Sequence, residues 1–291
     1  MKPYYSNRLG PRPAITAARE IGSVASNTLV PNTRNTWRKA YYLMIGVMIC
    51  VATSCNSNRN VEDPANDKQL AAGYVVQADQ LYAQRDDLMR LRQGIVMLRQ
   101  AVTADPGSYD AAWRLAKFNY YLATHTEDHQ ERDAAFRQGI DAGKTAVELQ
   151  NGKPDGHFWL GANYGGSAQV STLAGLATVD DIKREMATVL QLDPGYQSGS
   201  AYMVLGMLYL EAPALLGGSP EMAISELEKG VKIGDANAFL HLHLAEAYLK
   251  VGRKADARKQ LQAIIDMKPD KDYLPEYKEA VNDARQLLPK T

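Results

Sequence analysis

The sequence predicts an all-α protein in which pairs of helices stack in series. One pattern occurs four times: a bulky residue, a small residue three or four places later, and a Tyr at the seventh place after the start. It begins at Trp113, His157, Tyr202 and His241 and ends at Tyr120, Tyr164, Tyr209 and Tyr248. These offsets share one face of an α-helix. Alternating β-branched runs with hairpin turns, which would indicate strands, are absent from the sequence.

A second helix is indicated after each of these patterns by small or apolar residues at offsets 0, 4 and 7. A further set of this kind precedes the first pattern. The five sets are Gly94/Leu98/Ala101, Gly139/Gly143/Ala146, Ile182/Met186/Val189, Ala223/Leu227/Gly230 and Ala257/Leu261/Ile264. The alternation of the two kinds of helix resembles the tetratricopeptide repeat, a helix–turn–helix unit of about 34 residues. We therefore expect a tetratricopeptide-like solenoid.

The repeats are longer than usual, because the four patterns start 44, 45 and 39 residues apart. The excess falls between the motif Tyr and the next set, which predicts long turns inside the repeats. Two such turns, 165–176 and 211–220, are small and apolar rather than charged. Insertions aligned on one edge of a solenoid often mark its binding face. The final segment, 276–288, is predicted to be a helix that caps the last repeat.

The start of the chain carries the features of a bacterial lipoprotein signal. Basic residues precede an apolar run at 40–52, which is shorter than the roughly 20 residues of a membrane span. The run ends in Ala-Thr-Ser-Cys, which resembles a lipoprotein box and predicts lipid attachment at Cys55. An uncleaved anchor with an incidental Cys is the alternative. Residues 1–55 are then leader and signal peptide, 56–67 a flexible tether, and 68–291 the helical domain.

The residue after Cys55 is Asn56, not the Asp that retains many lipoproteins at the inner membrane. The expected location is therefore the outer membrane, on its periplasmic side. Residues 1–55 hold seven of the 33 basic and one of the 33 acidic residues, which leaves 26 basic and 32 acidic residues and a net charge of −6. This balance favours solubility and argues against nucleic acid as a partner.

Enzymatic activity is not expected, because the sequence brings no catalytic motif together. His125 and His129 have the i, i+4 spacing of a helical zinc site, but the acidic residue between them is not placed as in a metalloprotease motif. We interpret this segment as a polar turn. No catalytic residue, metal site or cofactor is predicted.

Aromatic residues are concentrated in two predicted helices, the first helix of the first repeat and the first helix of the second repeat. Trp113, Tyr120 and Tyr164 hold repeat positions and are expected to be buried between helices. Phe118, Tyr121, Phe158 and Trp159 do not, so they indicate a second apolar face for a partner or a ligand. We hypothesise one apolar cavity beside the two apolar turns. Its predicted lining is His157, Phe158, Trp159, Asn163, Tyr164, Leu215 and Leu216, with Asn163 or His157 orienting a polar head group.

Several segments, in order over residues 75–288, carry a family resemblance. They are YDAAWRLA at 109–116, GHFWLGANYG at 156–165, and the segments 212–219 and 244–249. The chain resembles the T-components of tripartite ATP-independent periplasmic (TRAP) transporters. The resemblance implies a lipid-anchored helical-repeat protein, a homotrimer with a pore or cleft in each subunit, and a periplasmic substrate-binding protein as partner. A small hydrophobic or organic acid is the implied ligand.

Two functions follow from these observations. The first is an accessory subunit of a TRAP-type transport system that handles such a ligand in a closed apolar cavity. The second is a protein-interaction scaffold at the outer membrane, without a transport role and with an open groove lined by polar groups. The apolar composition of the inserted turns favours the first.

Overall fold

The computed structural model describes residues 64–170 and 172–291, without the side chains of 64 and 172–177. The predicted leader and Cys55 lie outside this range, while the last four residues of the predicted tether belong to the first helix. Eleven α-helices are present in the described residues: α1 (Pro64–Tyr82), α2 (Leu88–Ala104), α3 (Tyr109–His125), α4 (His129–Leu149), α5 (Pro154–Val170), α6 (Thr172–Leu192), α7 (Ser200–Glu211), α8 (Pro220–Ile233), α9 (Ala238–Lys250), α10 (Lys254–Asp266) and α11 (Leu274–Leu287). Short 3₁₀ turns occupy Ala214–Leu216, Lys271–Tyr273 and Leu288–Lys290.

Polar caps define where several helices begin. Ser108, Asp128, Ser219 and Asn237 each accept a hydrogen bond from a backbone N–H in the first turn of the following helix. Such a bond satisfies one of the amides that the helix itself leaves unpaired. Each cap therefore marks where one connection ends and the next helix begins, both between repeats and within them.

The helices pack as antiparallel pairs in two layers. Each odd-numbered helix from α1 to α9 packs on the even-numbered helix that follows it, and each odd-numbered helix also touches the next odd-numbered one. The odd-numbered helices therefore form one continuous layer, which we call the inner layer, and the even-numbered helices form the outer layer. This arrangement confirms the predicted all-α helical-repeat solenoid.

The small and apolar residues predicted on the second helix of each pair do lie between the helices. The five sets of residues at offsets 0, 4 and 7 lie on the even-numbered helices, and we call their fifteen members rungs. All fifteen rungs are buried. Met186, Leu227 and Leu261 are completely inaccessible to solvent. The small rungs serve close contact: a Cβ added at Gly143 in α4 would lie 2.9 Å from the Cα of Leu160 in α5. The spacing of small and large residues thus determines how closely neighbouring helices approach.

The prediction of long turns inside the repeats is wrong for the first repeat. There the extra residues lengthen the helices: α3 and α4 have 17 and 21 residues and are joined by only three, 126–128. The corresponding helices of the last repeat, α9 and α10, have 13 residues each. In the second repeat α5 and α6 also have 17 and 21 residues. The physical reason is that 165–170 contains no Pro and continues the α5 helix. Only the third repeat has a longer connection, 212–219.

The two apolar faces of the first helices are both covered by protein. Phe118, Tyr121, Phe158 and Trp159 are all buried. Phe118 packs against α1 and α2, with its ring centroid 4.4 Å from that of Tyr82. A first helix in a solenoid touches its own partner helix and the preceding repeat, so two apolar faces are needed by the stack alone. Of the three repeat-position residues expected to be buried, Tyr164 is buried, whereas Trp113 and Tyr120 are only half-buried.

The predicted capping helix is present as α11. It packs on α9 and α10, where Ala280 and Ala284 are completely buried and Tyr277, Val281 and Leu288 cover the same core. The cap closes the end of the hydrophobic core of the last repeat.

Within the ranges that the structure describes, no helix combines the length and the apolar character needed to cross a membrane.

Candidate functional site

Three of the predicted ligand-binding residues belong to one core between the first and third repeats. Phe158, Trp159 and Tyr164 are all at most 9% exposed and pack with residues of α4, α6 and α7. The ring centroids of Phe158 and Trp159 are 4.9 Å apart, and that of Tyr120 lies 5.7 Å from Trp159. These aromatic side chains are therefore covered by one another and by residues of the neighbouring helices.

His157 is held by two hydrogen bonds. Its Nδ1 lies 2.7 Å from Oε2 of Glu185 in α6, and its Nε2 lies 2.9 Å from the carbonyl oxygen of Asn151. The hydrogen bond to Glu185 raises the pKa of His157, although burial opposes the rise. Because both ring nitrogens are engaged within the protein, His157 joins α5 to α6 rather than presenting a nitrogen to a ligand.

Asn163 also bridges helices. Its Nδ2 donates to the carbonyl oxygens of Trp159, at 2.7 Å, and of Ala116 in α3, at 3.1 Å. The side chain is completely buried and fills the space beside Gly139 of α4, where a Cβ would lie 2.0 Å from Oδ1. The amide therefore fixes the register of three helices at a point where only glycine fits.

Leu215 and Leu216 are not brought together with the aromatic residues. They lie in the 3₁₀ turn between α7 and α8, where Leu215 is 96% exposed and Leu216 is half-buried outside that core. Two surface grooves, of about 240 and 270 Å³, are lined by residues of α2, α3 and α4 and by none of the seven residues. Binding of a hydrophobic acid by the seven residues stays a prediction.

A different cluster on the inner layer combines buried charge with aromatic faces. We call it the Arg85 site; it consists of Tyr82, Arg85, Lys117, Tyr121 and His125. The Arg85 guanidinium lies 4.8 Å from the ring centroid of Tyr82 and 5.7 Å from that of Tyr121. The Lys117 ammonium lies 4.3 Å from the Tyr82 ring, on α1. Cations over aromatic faces at these distances are attracted by the ring quadrupole.

The Arg85 site is occupied by the start of the capping helix. Arg85, only 4% exposed, donates from Nε to Oε1 of Glu276 at 2.8 Å and from Nη2 to Oε2 at 2.6 Å. Nη2 also donates to the carbonyl oxygen of Asp272. Nε2 of His125 lies 3.5 Å from a carboxylate oxygen of Glu279. The last helix thus contacts the connection between α1 and α2 across 191 residues of sequence.

Aromatic and hydrogen-bond contacts fix the orientation of this site. His125 stacks on Tyr121 with centroids 3.8 Å apart, and its Nδ1 lies 2.8 Å from the carbonyl oxygen of Tyr121. The hydroxyl of Tyr273 donates to Oε1 of Gln197 at 2.9 Å. Burial raises the pKa of Tyr82 well above its ordinary value, against the opposing effect of Arg85. The tyrosines therefore remain neutral and act as walls for the charged groups.

The pKa of Lys117 gives this site a measurable pH dependence. Burial, followed by the positive charge of Arg85, lowers that pKa from 10.5 to about 8. Between these two values the unfolded chain binds more protons than the folded chain, so the free energy of unfolding rises with pH. From pH 7 to pH 9 we expect Lys117 to contribute a rise of about 1 kcal/mol.

The measurement is urea unfolding of the natural chain and of Lys117→Met at several pH values. Their difference isolates Lys117, because the other titrating groups, His157 among them, are present in both proteins. Methionine keeps the unbranched apolar stem and removes the charge. A difference in unfolding free energy that is constant from pH 7 to pH 9 would show that Lys117 is not desolvated.

Sequence reasoning identified one member of this site, Tyr121, through the second aromatic face of α3. It missed Arg85 and Glu276. Arg85 stands in Gln-Arg-Asp-Asp, a polar connection that is typical of an exposed turn. Its burial depends on a helix that arrives from the other end of the domain.

The polar residues of the turn between α3 and α4 do not form a metal centre. Nδ1 of His125 faces a backbone carbonyl oxygen, while Nδ1 of His129 lies 2.9 Å from Nη1 of Arg132. Among the described residues, no group of three or more His, Cys, Asp or Glu side chains is arranged to hold a metal ion.

Solved structures with this fold support the repeat assignment. A tetratricopeptide-repeat protein of Thermus thermophilus, TTC0263, is 21% identical, with 75% of this chain and 99% of that chain covered and a TM-score of 0.52. PilF of Pseudomonas aeruginosa is 17% identical, with 76% and 91% covered and a TM-score of 0.50. At these identities the likeness establishes a tetratricopeptide-like fold and nothing further. No curated protein matches the sequence significantly.

A family model matches most of the domain. It is described as "Regulator of microtubule dynamics protein 1-3" and covers residues 74–291. The matched range begins inside α1 and includes every helix after it, so it contains the whole Arg85 site and its occupant. The fold implied by the resemblance to TRAP T-components is confirmed as a helical repeat. Membership of the T-component family stays a prediction. On this match, the chain belongs to the family of regulator of microtubule dynamics proteins 1-3.

Proposed function

We propose that this protein is an interaction scaffold that binds a segment of a partner protein on its inner layer, at the Arg85 site. One observation carries the proposal: this site already holds a polypeptide segment through a buried, two-pronged guanidinium–carboxylate pair and a main-chain carbonyl. Paired hydrogen bonds of this type recognise both the charge and the plane of a carboxylate. A surface that binds a backbone carbonyl and a side chain together is suited to peptide recognition.

The electrostatics of the inner layer support a specific rather than a general adhesive surface. Arg85 and Lys117 are both close to the Tyr82 ring, and Arg85 is paired with the carboxylate of Glu276. A buried cation is costly without an anionic partner. The site therefore discriminates against neutral segments by leaving Arg85 unpaired when one binds.

The scaffold proposal is the alternative of the two functions predicted from the sequence. A TRAP-type transport role, a hydrophobic ligand, a periplasmic substrate-binding protein and a homotrimer remain predictions, as does the anchor at Cys55 with its outer-membrane location. The microtubule-related name describes other members of the family, and no contact described above identifies a microtubule as the partner.

Site-directed photo-crosslinking in the cells that make the protein tests the proposal. A photoreactive amino acid replaces Gln84, which is exposed next to Arg85, or Gln100, which is exposed on the outer-layer helix α2. We expect a discrete protein adduct from position 84, and its loss on adding Arg85→Gln, because truncating one side of a buried charge pair weakens binding by at least about tenfold.

The matched position 100 serves as the control for accidental proximity. Equal adducts from both positions, or an adduct at position 84 that survives Arg85→Gln, would mean that the inner layer is not the binding surface. Thermal unfolding of each variant shows whether the fold is retained.

A further inference from the structure

From the way α11 fills the Arg85 site, we infer that the partner segment is an acidic helix and that residues 270–279 are its competitor within the chain. This inference rests on the proposed function and names the partner class and regulation of the same site. Glu276 and Glu279 are three residues apart and share one face of α11. The two carboxylates meet basic groups of the N-terminal helices: Glu276 pairs with Arg85, in the connection between α1 and α2, and Glu279 lies near His125 at the end of α3.

The occupant shows which features a partner must supply. Glu276 provides a carboxylate for the guanidinium fork, and the carbonyl oxygen of Asp272 lies one turn before it. That carbonyl is exposed to a donor because the 3₁₀ turn Lys271–Tyr273 precedes the helix. A partner helix therefore needs an acidic residue in its first turn, a free carbonyl before it, and a second acid three residues later.

The charge distribution explains why an acidic helix is selected over other ligands. The N-terminal side of the contact carries Arg85 after α1, and Lys117 and His125 in α3. In the occupant, Glu276 and Glu279 are half-buried, while Asp270, Asp272 and the basic residues Lys271 and Lys278 are exposed. Asp79 is already paired with Arg114 at 3.0 Å and does not neutralise Arg85 directly. Arg85 thus takes its carboxylate partner from the occupant, and an acidic segment would supply the same group.

The contact of the occupant is also suited to exchange. The C-terminal half of α11 is fixed by Ala280 and Ala284 in the core of the last repeat. The start of the segment is less firmly packed, because Tyr273 is 44% and Leu274 38% exposed. A tethered segment competes at an effective concentration on the order of millimolar, so a partner meets a partly blocked site. Loosening residues 270–279 would raise its affinity without changing the site.

The experiment measures binding of a fluorescein-labelled peptide of residues 268–281 to the full-length chain by fluorescence anisotropy. The natural chain should bind it weakly, because its own segment fills the site. Glu276→Gln should bind at least about tenfold more tightly, since the tethered competitor then lacks its carboxylate. Adding Arg85→Gln should abolish the gain. A peptide with both glutamates replaced by glutamine should not bind.

A second variant protects the test against loss of the fold. Tyr273→Ala removes the hydrogen bond to Gln197 and leaves Arg85 and Glu276 unchanged, so it should also increase peptide binding, to a smaller extent. Binding by the folded Glu276→Gln chain that is no tighter than that of the natural chain would overturn the inference. Equal binding of the neutral peptide would overturn it as well.

Two further outcomes separate this inference from its alternatives. Vesicles of phosphatidylglycerol are tested with Glu276→Gln and with Glu276→Gln/Arg85→Gln. Vesicle binding that requires Arg85, in the absence of peptide binding, would replace the acidic helix by an anionic membrane surface. A crosslinked partner at position 84 combined with failure of the peptide would leave the scaffold function standing and reject only the acidic-helix class.

Discussion

Replacing Phe118 by alanine is expected to lower the free energy of unfolding by about 3–5 kcal/mol. Phe118 is 1% exposed and belongs to the core that joins α1 and α2 to α3. Its ring packs on Tyr82 at 4.4 Å and faces Gly94, where a Cβ would lie 2.9 Å from Cε2 of Phe118. Removal of the ring leaves a cavity that these rigid neighbours fill only in part. Urea unfolding monitored by circular dichroism measures the loss.

Trp113→Ala is the matched comparison, because it removes a larger ring from the same helix. Trp113 holds the repeat position but is half-buried. The Arg114 guanidinium lies 4.2 Å from its ring centroid, and its Nε1 donates to Asp110 at 3.2 Å. We expect Trp113→Ala to lower the free energy of unfolding by roughly half as much as Phe118→Ala does, or by less. A larger loss from Trp113→Ala than from Phe118→Ala would contradict the packing described here.

The helical pairing was predictable because its signal is local and repeated. Each rung at offsets 0, 4 and 7 must contact the adjacent helix whatever the length of the connection. Small residues such as Gly143 and large ones such as Met186 both recur at these offsets and are buried. The capping helix was predictable for the same reason, since Tyr277, Val281 and Ala284 share a face.

The helix lengths were harder to predict because the same small, apolar residues suit a loop or a buried helix. Residues 165–170 have no charged face and no Pro, so their composition does not distinguish the two. The structure continues α5 through them. The aromatic residues outside the repeat positions led to the prediction of a face for a ligand or partner. A helix face that packs on the preceding repeat has the same apolar composition as one that binds a ligand, so the sequence does not distinguish them.

The Arg85 site could not be predicted from the sequence because its two halves are 191 residues apart. Neither half has a motif: Arg85 lies in a polar turn, and Glu276 lies in the first turn of an amphipathic helix with many other charges. Only the curvature of the whole stack brings α11 against α3, and curvature accumulates from small rotations between repeats. The predicted site residue His157 illustrates the converse. Its neighbours in sequence resemble a binding motif, yet Glu185 and Asn151 engage both nitrogens.

Gly143→Leu is expected to destabilise the fold by at least about 3 kcal/mol, because the new side chain would enter the contact between α4 and α5. A Cβ at this position would lie 2.9 Å from both Cα and Cβ of Leu160 and 3.2 Å from its backbone nitrogen. Backbone atoms cannot move aside as the end of a flexible side chain can. The two helices must therefore separate, which also disturbs Asn163 and its hydrogen bond to Ala116.

Gly73→Leu isolates this steric effect from the change in helix propensity. Gly73 lies within α1, is exposed, and would have no heavy atom within 4 Å of an added Cβ. Here the substitution should raise the unfolding free energy by roughly 0.5–1 kcal/mol, since glycine loses more backbone entropy in a helix than leucine does. The two variants thus carry the same substitution, and their expected changes in unfolding free energy have opposite signs. Equal effects at positions 73 and 143 would mean that α4 and α5 are not in close contact, and that the small rungs of the repeat reflect composition rather than packing.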